Sequence, residues 1–138
     1  MSILKESPPI FYSFRRCPYA MRARLSLVIS KTRVEIREVY LKEKPKEFLA
    51  SSVSATVPCM VTQEKILDES LDIMLWVLKK NDPQNWLKMP KIGFDLIKEN
   101  DGPFKYYLDK QNTILDIQKL TLKKVEKKHQ FFCLNWKI

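Results

Sequence analysis

The sequence predicts an α/β domain followed by an incomplete helical one, and three observations predict it. Short β-prone runs alternate with helical runs over residues 1–80. After residue 80 the patterning is helical alone. The chain has only 138 residues, enough for one domain and a fraction of a second. Apolar residues make up 45% and charged residues 30%, a globular balance, so a packed core is expected.

Pro9-Ile-Phe-Tyr-Ser-Phe14 is short, aromatic and β-prone, and reads as a first strand. Pro18 suits the first residue of a helix, where its missing N–H costs nothing. Tyr19–Ser30 follows, with Ala20, Ala23 and Leu27 on one stripe and Leu25, Val28 and Ile29 beside it. Val34–Tyr40 puts Val34 and Ile36 on one face with charges between, and reads as a second strand. A helix separates the two strands, so they are expected to be parallel. Pro45 opens a short helix, Lys46–Ser51.

Thr56–Thr62 reads as an apolar strand with Pro58 at its mouth, where a strand start or edge tolerates proline. Gln63-Glu64 is a tight turn, so Cys59–Thr62 and Lys65–Asp68 are expected to form a hairpin. Ser70 reads as the N-cap of the next helix. Leu71, Met74, Leu75 and Leu78 follow at helical spacing. Ile73, Trp76 and Val77 make that helix apolar nearly all round, which predicts burial on more than one side.

The order is βαβ, a helix, then ββα. That is the thioredoxin-like order, complete within residues 1–80. Asn81–Asn85 reads as a linker. Pro90–Glu99 reads as a helix, Asp101-Gly-Pro103 interrupts it or starts the next, and Phe104–Leu108 continues helically. Residues 81–138 are therefore expected to be a linker and an incomplete all-helical C-terminal domain, too short for a normal one. No internal repeat is visible.

Several function classes are excluded by scarcity. The two glycines, Gly93 and Gly102, are too few for a phosphate-cradling loop or a dinucleotide fingerprint. One histidine, His129, and three cysteines argue against a zinc finger or a histidine-rich metal site, and no metal is expected. The longest apolar run, Ile73–Leu78, is six residues, whereas a membrane span needs about 20. The first residues show no long apolar stretch and no cleavage site, so no signal peptide is read. Cys17, Cys59 and Cys133 are an odd, scattered set, which fits a cytoplasmic protein with free thiols better than a disulfide framework.

The net charge is +9. It is spread: 14 basic against 9 acidic residues over 1–80, 5 against 5 over 81–110, and 6 against 2 over 111–138. No basic stripe with interleaved aromatics appears, so nucleic acid is not the expected partner.

Three motifs carry chemistry. Arg15-Arg-Cys-Pro-Tyr-Ala20 stands at a strand-to-helix junction. A cysteine just before a helix faces free N–H groups and the positive end of the dipole, both of which favour thiolate. The alternative is a buried, inert cysteine, which fits the position and the flanking arginines less well. Ala20 stands where a second cysteine would make a dithiol, so a small thiol has to resolve any mixed disulfide on Cys17.

Val57-Pro58 opens a strand. A cis bond there would turn the Val57 N–H and C=O outward to pair with an extended peptide; the alternative is an ordinary strand-edge proline. Asp68-Glu-Ser70 opens a helix, where N–H groups suit a carboxylate and Glu69 suits an ammonium; the alternative is a simple cap. Cys59 reads as core, Trp76 as interface packing, and the Lys42–Lys46 run mostly as a solvated face. Cys133 and His129 receive no role.

Cys17-Pro-Tyr-Ala20, Thr56-Val-Pro58 and Asp68-Glu-Ser70 stand together in the order and spacing of the glutathione S-transferase N-terminal domain. Phe14–Arg24 is especially similar to a bacterial branch with a cysteine active site, and Asn100–Lys105 resembles the early helical domain of that branch. The resemblance covers residues 9 to about 109. It implies a catalytic thiol at Cys17, and Val57 pairing with the cysteinyl unit of glutathione beside a cis Pro58. It also implies Glu69 and Ser70 at the γ-glutamyl end, and Lys44 at the glycyl carboxylate. Glutathione would be the substrate, a small electrophile or disulfide its co-substrate, and the protein a homodimer without membrane or nucleic-acid partners.

Two functions are carried forward. The first is glutathione-dependent thiol transfer, or conjugation, through Cys17. The second is a non-catalytic transferase-like module for binding or dimerisation. Residues 111–138 depart from the family. Gln111–Gln118, written in AT-rich codons and read one base earlier, gives K-Y-Y-P-R-Y-P-E, which resembles the family's continuation. A reading-frame shift near Lys110 is therefore expected, with Leu115, Leu120, Leu122, Val125, Phe131, Phe132 and Trp136 packing opportunistically or staying exposed. The alternative is a short helical C-terminus, for which Asp116–Lys128 has passable propensity.

Overall fold

The computed structural model describes residues 7–134, and beyond residue 119 only the side chain of Lys123. Strand β1 (Ile10–Ser13) leads through a short loop into helix α1 (Pro18–Ile29). Strand β2 (Glu35–Glu38), helix α2 (Lys46–Ser51), the hairpin β3 (Cys59–Val61) and β4 (Ile66–Leu67), and helix α3 (Ser70–Lys80) follow. The sheet order is β2-β1-β3-β4. β1 runs parallel to β2, with Phe11 opposite Ile36, and antiparallel to β3, with Tyr12 opposite Cys59. This is a four-stranded mixed sheet with the thioredoxin-like element order that the residues predict.

Alternation along the strands divides the core. Successive strand residues point to opposite faces. Phe11 and Met60 join Ala23 and Leu27 of α1 and Ile73, Val77 and Leu78 of α3 in one buried cluster. Their neighbours Tyr12 and Cys59 meet Phe48 of α2 and Val39 in another. The Tyr12 and Phe48 rings lie 5.1 Å apart. One face thus carries α1 and α3, and the other carries α2.

One packing expectation is corrected and one holds. Leu25 and Val28, read beside the buried stripe of α1, are exposed. The α1 face that meets the core is satisfied by small residues, Ala20, Ala23 and Ser26, together with Leu27. In α3, Ile73, Val77 and Leu78 are buried, but Leu71, Met74 and Leu75 are only half-buried. Only Asp72, Lys79 and Lys80 of that helix are exposed, so it is covered on more than one side, as its apolar sequence predicts.

The chain divides into two compact units after Lys88. Asn81–Asn85, read as linker, lies within the first unit. The Asp82 carboxylate accepts the backbone N–H groups of Trp86 and Leu87, each at 2.8 Å, fixing the short 3₁₀ turn Trp86–Lys88. Trp86 and Leu87 pack against the α1–α3 cluster.

The second unit holds helix α4 (Lys91–Glu99), a π-helical segment (Asn100–Phe104) and helix α5 (Lys105–Leu134). Pro90 is the N-cap of α4. Gly93 lies inside the helix, and the Met89 side chain occupies the space a Cβ there would take. Pro103 lies in the wide π turn. Proline has no N–H and crowds the carbonyl four residues back, so a widened turn accommodates it where a regular one would clash. α5 then runs unbroken through Lys110. Leu115 is exposed. The side chains of Leu120, Leu122, Val125, His129, Phe131, Phe132 and Cys133, and all of Trp136, lie outside the described residues.

Candidate functional site

Cys17 ends the β1–α1 loop and is the N-cap of α1, with extended backbone and Pro18 after it. Its N–H donates to the Phe14 carbonyl at 3.0 Å, and its carbonyl accepts the Met21 N–H at 2.9 Å, the first bond of the helix. The side chain makes no capping bond. The thiol is half-buried, with Sγ 3.5 Å from the Val57 carbonyl oxygen, forty residues along the chain. The Val57–Pro58 peptide bond is cis, and Pro58 is buried at the mouth of β3.

The loop that carries Cys17 is clamped from inside the helix. Arg24, seven residues on and therefore two turns along, donates to Ser13 Oγ at 2.6 Å and to the Phe14 and Arg15 carbonyls at 3.4 and 3.0 Å. The Arg15 N–H donates to the Glu38 carboxylate at 2.7 Å, tying the loop to β2 as well.

α3 starts with Glu69 at the N-cap, exposed and extended, and Ser70 as its first helical residue. This corrects the expectation that Ser70 is the cap itself. Its hydroxyl is engaged elsewhere, accepting Arg22 Nε at 3.0 Å and Nη2 at 2.7 Å. Ser70 is buried, and the Arg22 guanidinium lies over the Tyr19 ring, 5.0 Å from its centre.

Asp68, the residue before this pair, braces the segment ahead of Pro58. Its carboxylate accepts the Ser52 hydroxyl at 2.6 Å and the Ser54 N–H at 2.7 Å. Burial pushes the Asp68 carboxyl up, but the Ser52 hydroxyl and the Ser54 N–H outweigh it and hold the group below its ordinary value. Burial, reinforced by the Asp68 charge, pushes the neighbouring Cys59 thiol up to about 12. Cys59 is thus an inert core thiol, as its sequence context predicts. Half-buried Lys44 donates Nζ to the Ala55 carbonyl at 2.9 Å, where Ala55 takes a left-handed backbone (φ 52°).

One segment therefore gathers the predicted residues. Ser52 and Ser54 bond Asp68, Ala55 bonds Lys44, and Val57 meets Cys17. Glu69 and Ser70 follow Asp68 directly. Sequence reasoning missed Arg22, Arg24 and the bracing role of Asp68. The available signal was an arginine pair on the turns after Cys17, and a serine-rich run ahead of Asp68. Among the described residues no cluster of three His, Cys, Asp or Glu side chains suits a metal, and no helix is long and apolar enough to cross a membrane.

The sequence profile described as "Glutathione S-transferase, N-terminal domain" matches residues 11–86, more than half of the chain. The chain belongs to the glutathione S-transferase family. Solved members share the fold. A Tau class glutathione S-transferase from mango, Mangifera indica, is 23% identical, with 69% of this chain and 46% of that one covered and a TM-score of 0.58. Glutathione transferase Omega 3C from Trametes versicolor is 25% identical, covering 53% of this chain and 33% of that one, with a TM-score of 0.51. A glutathione S-transferase-I solved with lactoylglutathione is 18% identical, covering 75% and 53%, with a TM-score of 0.58. The chain thus spans between one third and about half of the length of these transferases. No curated protein sequence matches it.

Proposed function

We propose that this glutathione S-transferase is of the cysteine type and transfers thiols, with Cys17 as nucleophile. The observation that carries the proposal is the half-buried Cys17 thiol at the start of α1, 3.5 Å from the Val57 carbonyl beside cis Pro58. A thiol so placed meets the cysteinyl unit of a glutathione laid along Val57. Glutathione as ligand is supported by the family and by the relative solved with lactoylglutathione.

In the first step the Cys17 thiolate attacks the glutathionyl sulfur of a mixed disulfide. A Cys17–glutathione disulfide forms and the other thiol leaves as thiolate, taking a proton from water. In the second, a free glutathione thiolate attacks the glutathionyl sulfur, glutathione disulfide leaves and Cys17 is regenerated as thiolate. Val57 pairs its main chain with the cysteinyl unit, and Pro58 shapes that edge. Ser70 and the first N–H groups of α3 take the γ-glutamyl carboxylate, Glu69 the ammonium and Lys44 the glycyl carboxylate. The protein acts in the cytoplasm as a homodimer.

The test is turnover of a glutathione mixed disulfide by the purified chain. Cys17→Ser is expected to lower the rate at least about a hundredfold, because a hydroxyl cannot form the mixed disulfide. Unchanged activity in that variant overturns the mechanism. A second reading, a binding or dimerisation module without turnover, is favoured by the second unit, where no residue over 89–119 is buried. Retention on immobilised glutathione without turnover supports it.

A further inference from the structure

The function proposed above uses Ser70 as a donor to the γ-glutamyl carboxylate, and nothing in a serine by itself makes it one. A hydroxyl has one proton and two lone pairs and rotates to suit its neighbours. In a bare serine at a helix start it donates or accepts with equal ease. At Ser70 both lone pairs are taken by one partner, since Arg22 donates through Nε at 3.0 Å and through Nη2 at 2.7 Å. The only hydrogen-bonding capacity left to the hydroxyl is its own proton.

We infer that Arg22 is a positioning residue that locks the Ser70 hydroxyl as a donor, and so makes the site select an anionic acceptor at the γ-glutamyl end. The inference rests on the glutathione reading above. Three features make the lock firm. Ser70 is buried, with 2% of its surface exposed, so water cannot readily exchange for the arginine. The guanidinium is planar, and its two N–H groups reach one oxygen in a fixed fork where a lysine would offer a single mobile donor. It also lies against the Tyr19 ring, whose face favours a cation. The link spans 48 residues and joins α1, which begins at Cys17, to α3. Arg22 does not touch the ligand in this scheme. It acts through Ser70, by orienting the proton and by placing positive charge behind it.

The experiment is calorimetric titration of the full chain with two ligands: glutathione, and the analogue whose γ-glutamyl α-carboxylate is a carboxamide. Wild type is expected to prefer the carboxylate. Arg22→Met is expected to cut that preference roughly tenfold, the order of a lost charge-assisted hydrogen bond. Arg22→Lys, which keeps the charge but lacks the planar fork, is expected to fall between. In the Ser70→Ala background, Arg22→Met is expected to change the preference by less than about threefold, because the arginine no longer has a hydroxyl to orient. A purely structural arginine would weaken both ligands in the same proportion and leave the preference intact, and that result overturns the inference. Independent, multiplying effects of the two substitutions also overturn it. Failure of wild type to bind glutathione overturns the functional reading, and this inference with it; binding with the preference unchanged in Arg22→Met overturns this inference alone.

Discussion

The two units of the chain contrast in what holds their elements in place. In the first, strands of two to four residues persist because their core-facing side chains have partners across a layer: Phe11 against α1 and α3, Tyr12 against α2. In the second, long helices form with no buried residue over 89–119. Ile92, Leu96, Phe104, Tyr106, Tyr107, Ile114 and Ile117 are all exposed there. Apolar side chains alone therefore do not make a core. A strand needs distant partners for its backbone hydrogen bonds, whereas a helix satisfies its own. The chemistry follows the same division, since every predicted site residue lies in the layered unit.

The sharpest way to break this contrast is to truncate one large apolar side chain in each unit. Phe11→Ala is expected to destabilise the first unit by about 3–5 kcal/mol, the usual cost of emptying a buried phenylalanine site. Leu96→Ala, on exposed α4, is expected to change stability by less than about 0.5 kcal/mol. Urea unfolding followed by tryptophan fluorescence and circular dichroism measures both. Equal losses would mean that α4 is packed as tightly as β1.

A smaller effect separates bracing from packing within the first unit. Asp68→Asn removes a carboxylate that accepts from Ser52 and Ser54, and its amide N–H₂ would face the Ser54 N–H. The expected loss is about 1–3 kcal/mol at neutral pH. The native carboxyl titrates below its ordinary 3.8, so its contribution is complete above 3.8 and fades as the pH falls through the lower native value. Wild type and variant should therefore converge in stability under acid, and urea midpoints at about pH 7 and about pH 3 test this. A gap that stays constant would assign the loss to shape rather than to charge.

Much of the fold was legible because its causes are local. The short, aromatic, β-prone run through Phe11 and Tyr12 marked β1, Pro18 marked the helix start, and Pro58 marked the strand mouth. Cys17 announced itself by its junction. The rest depended on partners far along the chain. Arg22 looks like any helix-surface arginine until Ser70 is folded against it. Asp68 gains its meaning from Ser52 and Ser54, which sequence alone shows only as a polar run. The apolar abundance of α3 was readable, but which of its residues are fully buried was not: Leu71, Met74 and Leu75 stay half-buried.

The sheet order leaves β2 and β4 at its margins, and an open margin is a template on which another molecule can lay a strand. β4 offers two residues, too few to nucleate such growth. β2 offers four, with Ile36 exposed, but Glu35, Arg37 and Glu38 surround it. Glu35 and Arg37 are paired at 2.7 Å, and a foreign strand would have to strip water from all three charges. In concentrated solution the sheet is thus guarded against fibre growth, while the exposed apolar side chains of α4 and α5 are not. Self-association of this chain should accordingly be amorphous and helical in character, without cross-β signatures.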